Sequence, residues 1–156
     1  MSKFTRVAVI DPENNPLFAR LWGESGFKKL NESTIDEFLA VSGLKFAIFA
    51  DDPNKQKETM DIVVIGPEIF KQISKAFTGA WMTEPAEGRA LAARFGMRKL
   101  PALALFRDGV YLGACEGLDS WDGYITKLAE IAVRKKAPPR TITILPKAPV
   151  SDSACG

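Results

Sequence analysis

The sequence predicts an α/β protein with a central mixed β-sheet flanked by helices. The continuous apolar run from Phe46 to Ala50 is typical of a strand that is covered on both faces. A second apolar run, from Ala102 to Phe106, follows Pro101 and leads into Asp108-Gly109, a strong signal for a two-residue hairpin turn. Helix-start patterns lie between such runs. The predicted order β-α-β-α-β-β-α places helices on both faces of one sheet.

The composition is that of an ordinary globular chain and excludes several kinds of site. With 156 residues, one domain with a sizeable core is expected, and a formal net charge of +2 gives no signal for nucleic acid. The chain has no histidine, and its two cysteines, Cys115 and Cys155, form no CxxC. We therefore expect no metal and no cofactor. Because no long apolar run or signal pattern is present, we expect no membrane insertion and a cytoplasmic protein.

The first part of the chain carries one clear helix. Asn15 followed by Pro16 is typical of an N-cap and a first helical position, and Gly23 stops the helix. One face of this helix is apolar and comprises Leu17, Phe18, Leu21 and Trp22. Upstream, Val7 to Ile10 is predicted as a short strand or a packed arm. Downstream, Phe27 to Leu30 is predicted as an edge strand.

Two further helices are predicted from capping and spacing. Thr34 and Glu37 have the capping-box spacing, and Gly43 is expected to end that helix. Its inner stripe is Ile35, Phe38 and Leu39. Another helix is expected to open at Thr83-Glu84-Pro85, after a strand from Thr78 to Met82, with Leu91 and Phe95 facing inward.

The last helix and the C-terminal segment complete the pattern. Asp119 is predicted to cap the last helix, whose inner face is Trp121, Ile125, Leu128 and Ala132. From Lys135 onward four prolines and a Ser-Asp-Ser end predict an extended or disordered tail. Within that tail, Ile142 to Leu145 could dock as a strand.

The segment from Phe95 to Gly117 resembles the second half of a thioredoxin fold. In that fold a helix ends in an aromatic-Gly pair, and a cis proline and a hairpin follow. The resemblance implies that Pro101 follows a cis bond from Leu100 and that the hairpin strands are Ala102–Arg107 and Val110–Ala114.

This resemblance covers roughly residues 30–134 and implies three parts. They are an N-terminal arm and helix at 1–29 that pack on the main domain, a thioredoxin-like domain at 30–134 that lacks CxxC, and the tail at 135–156. Exposed sheet edges could support a homodimer.

A narrower resemblance rests on the Arg-Asp-Gly-Val-Tyr-Leu-Gly-Ala run that begins at Arg107, with Asp119, Trp121 and Tyr124 after it. These residues are similar to the HyaE/HupG-type hydrogenase expression proteins, which are thioredoxin-like accessory factors of [NiFe] hydrogenase maturation. The resemblance implies a non-enzymatic chaperone. Its partners would be the hydrogenase small-subunit precursor, with its twin-arginine signal peptide, and other hydrogenase accessory proteins.

The dithiol of redox-active thioredoxins has no counterpart here. Counting forward from the central strand places the site at Pro53–Gln56, and counting back from Gly66-Pro67 places it at Thr59–Ile62; neither window contains cysteine. The fold's buried aspartate corresponds to Ala47. Disulfide exchange is therefore not expected. The alternatives to a chaperone are a thiol enzyme that works through Cys115 and a scaffold domain of another complex.

Acidic residues surround the position of the absent dithiol. They are Asp51, Asp52, Glu58 and Asp61, and Glu84 and Glu87 follow at the next helix. Such acids can simply keep a loop soluble and complement helix dipoles. They can also form the rim of a site for a basic peptide, with apolar contacts from other residues. The candidate peptide-binding residues are Asp51, Asp52, Glu58, Asp61, Trp81, Leu100 and Pro101.

Overall fold

The computed structural model describes residues 9–138, which form a thioredoxin-like α/β fold and confirm the predicted fold class. The elements, in chain order, are α1 (Pro16–Trp22), β1 (Lys28–Leu30), α2 (Ile35–Ala40), β2 (Leu44–Phe49), α3 (Glu58–Ile73), β3 (Gly79–Thr83), α4 (Gly88–Arg94), β4 (Ala102–Arg107), β5 (Val110–Glu116) and α5 (Trp121–Ala132). After α1 the observed order is β-α-β-α-β-α-β-β-α. It contains one more helix–strand pair than the sequence predicted.

The five strands form one mixed sheet in the order β1-β3-β2-β4-β5. β3 pairs in parallel with both β1 and β2, whereas β4 pairs antiparallel with β2 and with β5. All six residues of β2 are buried, which confirms the prediction of a central strand covered on both faces.

Alternate residues of β2 contribute to two separate apolar layers. Phe46 and Ile48 face the layer that also contains buried residues of α1, α3 and α5. Ala47 and Phe49 face the opposite layer, which contains buried residues of α2 and α4. The alternation follows from the two-residue repeat of an extended strand.

The N-terminal helix begins and ends as predicted. The Asn15 side chain accepts a hydrogen bond from the Leu17 N–H, and Gly23 is the C-cap. Phe18 and Leu21 are buried in the same layer as β2 residues, and Trp22 is partly buried against it. β1 lies at the sheet edge, as predicted.

The segment around the hairpin also matches the prediction. The Leu100–Pro101 bond is cis. β4 spans the predicted residues, and β5 continues two residues beyond its predicted end at Ala114, to Glu116. Asp108 has a φ of 56°, a left-handed conformation that Asp tolerates in a tight turn, and its carboxylate accepts the Gly43 N–H.

The predicted capping box at α2 is wrong. Thr34 makes no side-chain capping bond into the helix; its hydroxyl instead accepts the N–H of Asn31 in the preceding turn. The helix also ends at Ala40 and not at Gly43. Its final carbonyls, those of Phe38 and Leu39, accept hydrogen bonds from the Lys45 ammonium, which satisfies groups that a further turn would otherwise use.

Three other predicted boundaries are corrected. Thr83 is the last residue of β3, which spans Gly79–Thr83 rather than 78–82, and α4 begins only at Gly88. The hydroxyl of Thr83 accepts the N–H of Ala50, which directly follows β2, and donates to the Ala50 carbonyl. These bonds keep Thr83 in the sheet. The segment read as a loop up to Asp61 already becomes α3 at Glu58.

The chain beyond α5 is described only to Pro138. Ala137 donates its N–H to the Tyr111 carbonyl of β5 at 2.9 Å. The predicted tail beyond 138, with its candidate strand at 142–145, lies outside the described residues. So do residues 7 and 8 of the predicted strand or arm at 7–10.

Candidate functional site

The candidate site lies at the end of the sheet where the parallel strands β2 and β3 finish and α3 begins. α4 approaches this end closely, because a Cβ on Gly88 would lie 1.8 Å from the Ala50 carbonyl oxygen. A glycine is therefore required at position 88. This approach sets α4, and with it Arg89, beside the loop that follows β2.

The start of α3 contains no thiol. The window Thr59–Ile62 forms part of its first turns, and Pro53–Gln56 lies in the loop before it. Thr59 is buried and donates its hydroxyl to the Asp51 carbonyl at 2.8 Å, whereas Glu58 and Asp61 are exposed. This position therefore presents carboxylates to solvent.

The negative charge of Asp51 is paired with a cation within the protein. Its Oδ2 accepts a hydrogen bond from Arg89 Nε at 2.8 Å, and Arg89 also bonds Gln56. Burial alone would raise the pKa of the Asp51 carboxyl, but the hydrogen bond and charge of Arg89 and the N–H of Asp52 outweigh burial and hold that pKa below its usual value. Asp51 thus remains ionised and paired.

Asp52 fixes the loop and the N-terminal segment. Its Oδ1 accepts the backbone N–H of Asn54 at 2.9 Å and the Asn54 side-chain amide at 3.0 Å. Asn54 in turn exchanges two hydrogen bonds with the backbone of Ile10, at 2.8 and 2.7 Å. The carboxylate of Asp52 therefore orients the amide that holds residues 9–13 against the domain.

The predicted apolar contacts are mostly interior. Trp81 is only 5% exposed and packs edge-to-face on Phe38 at 5.0 Å, with the Lys28 ammonium 5.2 Å from its ring centre. Leu100 and Pro101 are also buried. The structure thus groups Trp81 with α2 and β1, and it does not bring this side chain together with the acids that follow β2.

Two exposed apolar residues were missed at this end of the molecule. Leu118 is 44% exposed, and Trp121, which the sequence predicted to face the core, is 43% exposed. The Gly117 N–H bonds the Pro101 carbonyl at 2.8 Å, so Leu118 directly follows a residue attached to the cis-proline segment.

Trp121 is the first residue of α5 and lies outside the buried stripe of that helix. Ser120, not Asp119, is the N-cap of α5, and its hydroxyl accepts the Gly123 N–H. The buried stripe is Tyr124, Leu128 and Ile131. That i, i+4, i+7 spacing was available in the sequence and could have identified the true inner face.

A groove at the same end of the sheet was also missed. It encloses about 500 Å³ and is lined by residues 9–13, by Asp52 and Asn54, and by residues 84–86. We call it the N-terminal groove. It combines acidic with apolar side chains, and no lysine or arginine of the described chain lines it.

The structure gives no support to thiol or metal chemistry in the described chain. Cys115 is buried in β5, and burial raises the pKa of its thiol to about 11. Within residues 9–138 no cluster of three or more His, Cys, Asp or Glu side chains could hold a metal ion. None of the helices in that range combines the length and apolar character needed to cross a membrane.

Comparisons with known proteins agree on one family. A family model described as hydrogenase-1 expression protein HyaE matches residues 17–124. Hydrogenase expression/formation protein HoxO of Cupriavidus necator is 29% identical over 142 residues, which cover 90% of this chain and 86% of that protein. Hydrogenase expression/formation protein HupG of Rhodobacter capsulatus is 32% identical over 124 residues, which cover 79% of this chain and 89% of that protein.

Proposed function

Because the chain belongs to the HyaE family of hydrogenase expression proteins, we propose that it is a non-enzymatic chaperone of hydrogenase formation. A role in hydrogenase expression and maturation follows from its relatives, which are named hydrogenase expression/formation proteins. The finer proposal is that the protein binds the hydrogenase small-subunit precursor and its twin-arginine signal peptide in the cytoplasm, before export.

One observation carries this proposal. Asp61 lies in the window Thr59–Ile62, one of the two positions expected for the thiol of a redox-active thioredoxin, and Glu58 directly precedes that window; both carboxylates are exposed. Half-exposed Leu118 follows Gly117, whose N–H bonds the Pro101 carbonyl, and half-exposed Trp121 begins α5 three residues later. A twin-arginine signal has a basic segment followed by an apolar one, and acids beside exposed apolar side chains are complementary to both.

The proposed affinity is moderate. A chaperone that holds a precursor until it is mature must also release it. A dissociation constant in the micromolar range, which corresponds to a binding free energy of about −8 kcal/mol, suits such a cycle. Other hydrogenase accessory proteins would be further partners during that interval.

The first test is a titration of the purified protein with a fluorescent small-subunit signal peptide and with a variant whose two arginines are lysines. We expect saturable binding that weakens with added salt and with the lysine exchange, because guanidinium groups pair with carboxylates in a bidentate manner. In parallel, the intact precursor and a precursor without its signal are tested for co-purification. Recovery of neither precursor would contradict the proposal.

A scaffold role in another complex predicts a different result. Affinity purification from the native host would then recover a stable set of proteins that lacks the hydrogenase small subunit. The chaperone proposal requires that subunit among the partners.

A further inference from the structure

The N-terminal groove is formed by three separate segments of the chain. Residues 9–13 form one wall, Asp52 and Asn54 belong to the turn after β2, and residues 84–86 lie between β3 and α4. Its volume of about 500 Å³ is within the range of ligand pockets, which is roughly 300–1,000 Å³.

The wall is held in place by specific hydrogen bonds. The Asn54 side chain pairs with both the N–H and the carbonyl of Ile10, as a neighbouring strand would. Asp11 closes the following turn by accepting the Glu13 N–H and the Asn14 side chain. The Asn54 bonds therefore join parts of the sequence that are 44 residues apart, and the Asp11 bonds fix the local turn.

Each of the three segments contributes at least one carboxylate. They are Asp11, Glu13, Asp52 and Glu84. None of the four forms an ion pair with a residue in the described part of the chain, in contrast to Asp51, which is paired with Arg89. Negative charge that forms no ion pair within residues 9–138 is thus concentrated on one concave surface, which strengthens attraction for a cation.

The rest of the groove is apolar. Val9, which is 83% exposed, lines it together with Ile10, Pro12, Pro85 and Ala86. A fitting ligand group has a cationic head and an apolar stem. Arginine meets both requirements, because its guanidinium pairs with carboxylates while its methylene stem packs on apolar surface.

We propose that the N-terminal groove binds the arginine-bearing segment of an extended client peptide. The proposal rests on the proposed function, since the peptide would be the signal of the same precursor, and it deepens that function by locating the cationic segment. It assigns roles to Val9, Asp11, Glu13 and Glu84, none of which is among the candidate peptide-binding residues predicted from the sequence.

Substitutions that remove negative charge from the groove test its role in peptide binding. We expect Glu13→Gln combined with Glu84→Gln to weaken binding of a synthetic peptide with two adjacent arginines and an apolar tail by about fivefold or more. The glutamine that replaces Glu84 can still accept the hydrogen bond that the Asn31 side chain donates to this position. The difference between the arginine peptide and its lysine form should shrink as well. Asp52 is left intact because it holds Asn54.

Glu37→Gln is the matched control. Glu37 is exposed on α2 and lines a different depression, beside Lys28 and Trp81. Its replacement should leave peptide affinity unchanged, and the melting temperatures of all variants should agree with that of the starting protein. If the double variant binds the arginine peptide as tightly as Glu37→Gln does, the groove proposal is overturned.

Amide chemical shifts of the 15N-labelled protein separate the two proposals. With the same peptide, the largest changes are expected at the non-proline residues of 9–13, 52–54 and 84–86, since proline has no amide N–H. Changes confined to another surface, or none at all, overturn the groove. If the groove responds but the intact precursor does not co-purify, the chaperone function fails while the groove remains a site for arginine peptides. If the precursor co-purifies and the amide shifts of the groove residues do not change, only the groove proposal fails.

Discussion

Asp51 and Asp52 are adjacent in sequence, yet their carboxylates have different partners. Asp51 is paired with Arg89, and Asp52 orients Asn54. Neutralising either residue would therefore disturb an internal contact as well as any ligand contact. Glu13 makes no side-chain hydrogen bond or ion pair with the described chain and is the cleaner probe of ligand binding.

Cys115 provides a prediction at the scale of one residue. Its thiol pKa of about 11 means that almost no thiolate is present in the folded protein at pH 7.5. In a Cys155→Ser background, labelling by a thiol reagent should be about two orders of magnitude slower than in denaturant, where the pKa is near 8.5.

The same experiment decides on the thiol-enzyme alternative. Rapid labelling of Cys115 in the folded protein at neutral pH would support a reactive thiol and would contradict the buried state. Cys115→Ala in the same background measures labelling at other groups.

At the scale of elements, Lys45 joins β2 to the end of α2. Its side chain is fully buried, donates to the carbonyls of Phe38 and Leu39, and lies 4.5 Å from the Phe38 ring centre. Burial lowers the pKa of Lys45 to about 8, and the charge of Asp108 opposes part of that shift. Lys45 therefore satisfies the last carbonyls of α2, while burial disfavours its charged form.

This arrangement predicts how stability depends on pH. Between pH 8 and 10.5 the unfolded chain binds the Lys45 proton more tightly than the folded chain does, so the Lys45 contribution to the free energy of unfolding rises with pH, by up to about 3 kcal/mol. Urea titrations in a Cys115→Ala background, which removes the ionisation of the buried Cys115 thiol, should show the rise.

Lys45→Met is the comparison variant. Methionine fills a similar volume without a titratable group, so the rise between pH 8 and 10.5 should disappear. Its persistence would mean that another group is responsible.

Two element boundaries that are set by adjacent residues were predicted correctly, whereas two boundaries set by contacts between separate elements were not. The N-cap at Asn15 and the turn at Asp108 follow from a few adjacent residues, and both were predicted. The end of α2 depends on Lys45, and the start of α4 depends on contact between Gly88 and Ala50. Such contacts between separate elements cannot be read from a local pattern, and both boundaries were wrong.

At the scale of the whole molecule, α1 shares the main apolar core. Phe18 and Leu21 are 0% and 1% exposed and belong to the same layer as Phe46 and Ile62. Residues before β1 therefore contribute to the packing of the sheet. Residues 9–13, which form one wall of the N-terminal groove, directly precede this packed helix.

Phe18→Ala tests that integration. Loss of a fully buried aromatic ring should lower the free energy of unfolding by about 3–4 kcal/mol, with a single cooperative transition, because α1 unfolds with the rest. Arg20→Ala on the same helix removes only an exposed ion pair with Glu24 and should cost less than about 1 kcal/mol. A separate early transition for α1 in urea unfolding would argue against one cooperative unit.

The candidate site was predictable only in part. The acids after β2 were located because they follow a recognisable buried strand. The groove was missed because its wall depends on a pairing between Ile10 and Asn54, 44 residues apart. Trp121 was misplaced because the inner face of α5 was assigned to the wrong apolar stripe, whereas the buried stripe is Tyr124, Leu128 and Ile131.

The two edges of the sheet offer little backbone for a further strand. β1 has only three residues, with Lys28 and Lys29 exposed, and on β5 the carbonyls of Tyr111 and Leu112 accept hydrogen bonds from Ala137 and Arg134. Short, charged or covered edges disfavour pairing with an extended chain from another molecule and fibrillar stacking of the protein on its own copies.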